Sequence, residues 1–123
     1  MIDAVILVGG KGTRLGLLTK NTPKPLIRIN NQVFLDSIIS KLLKYNLKKI
    51  YLICSFKKEK FFKLYHNKIL HNSKIICIDE GDPKGTGGAL YKIKKFIKKD
   101  FILINGDTYF DIDISKIIKA KFK

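Results

Sequence analysis

Only two cysteines, Cys54 and Cys77, occur in this 123-residue chain, and they lie far apart. That excludes a disulfide framework and argues against a cysteine-based zinc site. Both sit in apolar, strand-like runs, where a free thiol behaves as a small buried hydrophobe. Long hydrophobic stretches are missing too. The apolar runs are strand-sized, far below the ~18 residues of a membrane span. The N-terminus carries Asp3 and an early glycine loop in place of a basic, long-apolar secretory signal. A soluble cytoplasmic protein with no membrane partner is expected. No internal repeat, low-complexity tract or Ser/Pro/Gly linker divides the chain, so one domain over 1–123 is expected.

Acidic residues are scarce: 10 Asp and Glu stand against 25 Lys and Arg, a formal charge of +15. Such a charge permits sequence-independent binding to nucleic acid. The lysines, however, are spread along a chain rich in isoleucine and asparagine, a bias an AT-rich genome also produces. No motif combines arginines with stacking aromatics. No specific nucleic-acid partner is therefore expected, and phosphorylated small molecules match the charge better. His66 and His71 have no carboxylate or cysteine cluster around them and are expected at the surface.

Four apolar runs, 3–8, 50–54, 75–78 and 101–104, are separated by segments of helical periodicity or turn signals, an alternating β/α pattern. Phe34, Leu35, Ile38, Ile39, Leu42 and Leu43 recur at helical spacing and predict a helix that covers a sheet. A second helix is predicted over 57–66, with Phe61, Phe62, Leu64 and Tyr65 on its apolar side. A third should start near Gly85 to Gly88 and run to about Lys99, with Ala89, Leu90, Ile93, Phe96 and Ile97 inward. Residues 112–123 read as the start of another. With right-handed crossovers, the four strands order as 3-2-1-4, which makes strands one and four neighbours at a topological switch point.

Arginine is the other scarcity, since only two of the 25 basic residues are arginines. One of them, Arg14, stands in the run Val8-Gly9-Gly10-Lys11-Gly12-Thr13-Arg14-Leu15, directly after a strand with apolar residues on both faces. Gly9, Gly10 and Gly12 allow consecutive N–H groups to aim at one point, which suits phosphate oxygens. Arg14 adds a forked, permanently charged donor. Lys24 stands between Pro23 and Pro25, and the second proline is expected to hold it extended. A Walker loop is excluded because Gly12 follows Gly10-Lys11 where Ser or Thr is needed. The dinucleotide fingerprint fails by one position, with Leu15 where its third glycine belongs. Asp107 follows the fourth strand, where a carboxylate either meets Mg²⁺ or closes a turn with Asn105 and Gly106. Gly85-Thr86-Gly87-Gly88 opens a helix, so Thr86 either caps it or, with Gly85, meets a ligand.

At these residues the chain resembles the sugar nucleotidyltransferases, whose signature is a G-G-x-G-T-R-L loop followed by a P-K-P segment. Pro83 to Leu90 and Asn105 to Asp111 are most similar to the heptose 1-phosphate and mannose 1-phosphate guanylyltransferases. The resemblance implies the nucleotide-diphospho-sugar transferase fold, a Rossmann-like α/β/α architecture with a mainly parallel sheet. Family catalytic domains are commonly about twice as long, so the chain corresponds to a truncated, N-terminal nucleotide-binding half. The implied substrates are a nucleoside triphosphate, GTP foremost, and a sugar 1-phosphate of lipopolysaccharide or capsule precursor metabolism. The implied catalytic residues are Arg14 on the β,γ-phosphates and Lys24 on the α-phosphate. Gly9, Gly10, Gly12, Thr13, Gly85 and Thr86 would complete the nucleotide site, with Mg²⁺ on Asp107. A binding module without the sugar site remains the alternative. A homo-oligomer or a separate second half-domain remains open as partner.

Overall fold

The computed structural model describes residues 2–9, 21–81 and 85–106. Its centre is β1 (Ile2–Leu7), flanked on one side by β4 (Leu47–Cys54) and on the other by β7 (Phe101–Asn105), both parallel to it. Beyond β4 lies parallel β6 (Ser73–Asp79), then the two-residue antiparallel β5 (Ile69–Leu70), giving the order β5-β6-β4-β1-β7. The four apolar runs thus take the expected 3-2-1-4 order. A separate hairpin joins β2 (Arg28–Ile29) to β3 (Gln32–Val33) through Asn30 and Asn31, both at positive φ, a conformation asparagine tolerates and tight hairpins need.

Helices cover both faces. Ala4, Ile6 and Val8 point from β1 into a core shared with α1 (Phe34–Leu42) and α2 (Lys58–Tyr65). Val5 points the other way, onto α3 (Gly85–Ile93). Alternating side chains therefore meet a helical layer on either side, which is why the strand reads as continuously apolar. Leu35, Ile38, Ile39 and Leu42 form the buried face of α1. Cys54 and Cys77 are free, buried thiols that donate to the carbonyls of Leu52 and Phe61. Their proximity, together with burial, raises the Cys54 thiol far above its ordinary pKa, so it packs as a neutral group.

Three expectations need correction. His66 is half-buried: its Nδ1 accepts the N–H of Cys77 at 3.0 Å, and its ring lies 5.0 Å from that of Phe62. The cause is the brevity of β5, which leaves the outer edge of β6 to be satisfied by Asn67, which donates to the Ile75 carbonyl, by the Lys68 carbonyl, which accepts from Ile75, and by His66. His71 is exposed as expected. Leu64 in α2 is exposed, and only Phe61 and Tyr65, one turn apart, are fully inward. The third helix ends at Ile93, and turns over 94–96 with three-residue hydrogen bonds break its period. Ile97 remains buried, whereas Phe96 swings out to 51% exposure. The predicted helix over 112–123 lies outside the described residues. Among the described residues no helix is long and apolar enough to cross a membrane.

Candidate functional site

The strands of the parallel sheet end together at their carboxyl edge, and backbone hydrogen bonds lock those ends. Val8 donates to the carbonyl of Ile53 at 3.1 Å, Glu80 to Cys54 at 2.9 Å, and Gly106 to Leu7 at 2.8 Å. Gly9 thus leaves β1 between the ends of β4 and β7. Ser55 Oγ donates to the Gly9 carbonyl at 2.7 Å. A Cβ on Gly9 would stand 2.7 Å from that Oγ and 3.3 Å from Glu80 Oε1. Gly9 therefore has a packing reason to be glycine, independent of any ligand: strand ends from three parts of the chain meet there. Gly106 is tighter still, since its Cβ would fall 2.8 Å from both the Leu7 carbonyl and Val8 Cγ1.

Gly10, Gly12, Thr13, Arg14 and Asp107 lie outside the described residues. Gly9, which precedes Gly10, and Gly106, which precedes Asp107, are described, and both abut the end of β1. Gly85 and Thr86 form the first turn of α3, where backbone N–H groups have no intrahelical acceptor. Lys24 differs from expectation. It opens a 3-10 turn over Lys24–Leu26 instead of lying extended, and the extended residue is Pro23, at φ −56 and ψ 145. Pro25 takes a first-turn position where a missing N–H costs no hydrogen bond, while Leu26 donates back to the Pro23 carbonyl at 2.9 Å. The turn is held from outside as well, because Ile27 accepts from Phe34 at the start of α1 and Lys60 of α2 donates to the carbonyl of Asn21. Lys24 is half-buried on this scaffold.

Sequence reasoning missed Ser55 and Glu80. Each is the first residue after a parallel strand, so the polar residues that close apolar runs two and three, Ser55 in one and Asp79-Glu80 in the other, were the available signal. Glu80 carries a pKa raised by partial burial and, second, by the negative charge of Asp79. Asp79 itself is lowered, chiefly by its 2.6 Å bond to Lys58 Nζ and then by the N–H of Gly81, which sits at φ +75 and donates to Oδ1 at 2.8 Å. Two adjacent carboxylates thus have opposite environments: one is neutralised by a lysine, the other is left facing the cleft edge beside Gly9. Among the described residues no group of three His, Cys, Asp or Glu is placed to hold a metal.

Comparisons with known proteins agree with this geometry. The nucleotidyl transferase family model matches residues 3–123. The chain is 41% identical over 116 residues to the D-glycero-alpha-D-manno-heptose 1-phosphate guanylyltransferase of Campylobacter jejuni, covering 94% of this chain and 52% of that protein. It is 42% identical over 122 residues to the bifunctional protein GlmU of Methanococcus aeolicus, covering 99% of this chain and 28% of that one. Among solved structures, HddC from Yersinia pseudotuberculosis, complexed with GMP-PN, superposes with a TM-score of 0.82 at 38% identity, over 100% of this chain and 55% of that chain. The chain spans about half the length of the heptose-specific relatives it matches. Its Rossmann-like, mainly parallel sheet and the match over residues 3–123 lead to one assignment: the chain belongs to the nucleotidyl transferase family.

Proposed function

We propose that this chain is the nucleotide-binding half of a sugar 1-phosphate nucleotidyltransferase. It transfers a nucleoside monophosphate, from GTP in preference, to a heptose- or mannose-type sugar 1-phosphate, releasing pyrophosphate and supplying lipopolysaccharide or capsule precursors. The observation that supports this reading is that Gly9, the first glycine of the sequence motif Gly9-Gly10-Lys11-Gly12-Thr13-Arg14, leaves the carboxyl end of β1 at the β1/β7 switch point, where open α/β sheets bind ligands.

In the reaction a phosphate oxygen of the sugar 1-phosphate forms a bond to the α-phosphorus as the bond to the β,γ-diphosphate breaks. Such a transfer depends on positioning and charge stabilisation more than on a protein nucleophile. Arg14 holds the departing β,γ-phosphates through its bidentate fork, and Lys24 neutralises the α-phosphoryl oxygens as charge develops. Gly85 and Thr86 present the first turn of α3 to base and ribose. Glu80 supports guanine: its carboxylate is an acceptor matched to the adjacent N1–H and 2-amino donors of that base, which adenine does not offer. Asp107 suits Mg²⁺, because the clamp of Gly106 onto Leu7 fixes where the chain leaves the sheet, and a carboxylate there is a hard oxygen ligand. Bound there, Mg²⁺ would offset the charge of the triphosphate. A second half-domain would complete the sugar pocket.

Thermal unfolding with Mg²⁺ and each of GTP, ATP, CTP and UTP tests the nucleotide site. At a hundredfold excess over Kd the correct nucleotide adds about 2.7 kcal/mol. GTP should give the largest upward shift, and Arg14→Ala should abolish it. With the second half-domain and sugar 1-phosphate present, Lys24→Ala should lower pyrophosphate release by roughly 10²–10³-fold, the scale of one lost transition-state donor, without unfolding the chain. No shift with any nucleotide, or near-normal turnover in the Lys24 variant, would overturn the reading. A shift selective for another base would overturn the guanine assignment alone.

A further inference from the structure

In the sequence, the glycine-rich motif and Arg14 fall within residues 10–20, which Gly9 and Asn21 bracket. Both of those bracketing residues are held by one short stretch, the turn that leads from β4 into α2. Ser55 Oγ donates to the Gly9 carbonyl at 2.7 Å, and Lys60 Nζ donates to the Asn21 carbonyl. The partners lie 46 and 39 positions apart, so neither bond is a by-product of local turn geometry. The turn itself is braced. Lys57 takes a left-handed conformation at φ 54, one that lysine rarely adopts. The Ser55 carbonyl accepts the N–H of Lys58 at 3.1 Å, and the Lys57 carbonyl accepts that of Lys60 at 3.0 Å. Lys58 Nζ ties the same turn to Asp79 Oδ2 on β6 at 2.6 Å.

A donor on the Gly9 carbonyl fixes the plane of the peptide bond that opens the motif, because that bond is planar. A donor on the Asn21 carbonyl, two residues before Pro23, fixes the approach to Lys24. A segment whose two ends are set beforehand has less conformational freedom to lose when a ligand orders it, and the saving adds to affinity. Resting on the reading of this motif as a phosphate grip, we propose that Ser55 and Lys60 are its positioning residues. They act through Gly9 and Asn21 and not on the ligand, and they bring the grip's donors to the phosphates together. The base and ribose, assigned to Glu80, Gly85 and Thr86, do not depend on them.

The test is calorimetric and NMR titration of the full chain, in Mg²⁺, with tripolyphosphate, GTP and guanosine. Ser55→Ala and Lys60→Met should each weaken tripolyphosphate and GTP about fivefold, the equivalent of one ordinary hydrogen bond, and leave guanosine unchanged. Lys60→Arg keeps both a donor and the charge and should recover most of the affinity. Lys63→Gln removes the same charge from an exposed position of α2 and should leave all three ligands unaffected. Three results would overturn the proposal: guanosine weakened as much as tripolyphosphate, which means general damage; tripolyphosphate indifferent to both anchors; or a loss with Lys63→Gln equal to that with Lys60→Met, which means charge alone. The Arg14→Ala variant separates the two readings. Binding that depends on Arg14 but not on the anchors overturns the positioning role alone, whereas wild-type binding that is absent or indifferent to Arg14 overturns the phosphate grip and this proposal with it.

Discussion

The two ends of β1 are built on opposite terms. At its carboxyl end Val8, Glu80 and Gly106 donate to strand carbonyls and Ser55 to that of Gly9, and space is so short that Gly9 and Gly106 have no room for a methyl group. At its amino end a cavity is left open beside Asp3, whose buried Oδ1 goes without a hydrogen-bond partner among the described residues. The difference lies in which part of the residue makes the fit. The tight end is shaped by main chain, which can be fixed to tenths of an ångström by hydrogen bonds from neighbouring strands. That is the precision the proposed phosphate loop and the proposed metal-binding carboxylate, which follow two neighbouring strands, would require. The open end is shaped by side chains, with long lysines at its rim.

The largest test of that contrast is Gly106→Ala. Its Cβ would press on the Leu7 carbonyl and Val8 Cγ1, both at 2.8 Å, and on Ile6 Cγ2 at 3.1 Å. A strand carbonyl in the centre of the sheet cannot swing aside, so the β1/β7 pairing must give. Overpacking of this kind costs about 1–3 kcal/mol, which thermal or denaturant unfolding would read directly, and a wild-type-like stability would show that the end of β1 is more pliable than described. Gly9→Ala should cost less, because its close contact at 2.7 Å is the side-chain hydroxyl of Ser55. Removing that hydroxyl with Ser55→Ala should cost about 1 kcal/mol alone, the worth of its bond to the Gly9 carbonyl. Combined with Gly9→Ala it should restore part of the loss, a positive coupling measurable in a double-mutant cycle. Strict additivity would mean the two residues do not share that space.

The contrast also explains what was legible beforehand. The apolar runs of β1, β4, β6 and β7 could be read because a strand buried on both faces leaves a continuous signal, and the 3-2-1-4 order followed from the handedness of crossovers. The glycine at position 9 was read as part of a ligand loop, but its crowding by Ser55 and Glu80 could not be read, since nothing local links residues 46 or 71 positions apart. Lys24 was misjudged because the proline rule describes a chain without a turn, and the Pro23 carbonyl supplied one. His66 was misjudged because the need it meets, an edge amide on β6, arises only once β5 proves to be two residues long. The cavity at Asp3 had no sequence signal at all: it depends on α3 ending at Ile93 and not near Lys99, which periodicity over a lysine-rich tail could not tell.

The smallest expected effect is the most specific to the cleft edge, and it concerns pH. Glu80 has a folded-state pKa above its ordinary value of 4.5, from partial burial first and Asp79 second. For a carboxyl shifted upward, the unfolded chain loses its proton first as pH rises, so the folded state binds more protons within the window. The stability it contributes is present below pH 4.5 and is lost as pH rises through the folded-state value. Asp79, shifted down by Lys58, acts in the reverse sense: its contribution is present above its ordinary value of 3.8 and lost as pH falls through the depressed one. Glu80→Gln should therefore raise the neutral-pH Tm slightly relative to that at pH 4, while Asp79→Asn should lower it and remove part of the acid-side loss. Both shifts are small because the groups are largely solvated and screened. If Glu80→Gln leaves the pH profile of Tm unchanged, the carboxylate is not held at the desolvated edge beside Gly9, and the guanine contact assigned to it goes too.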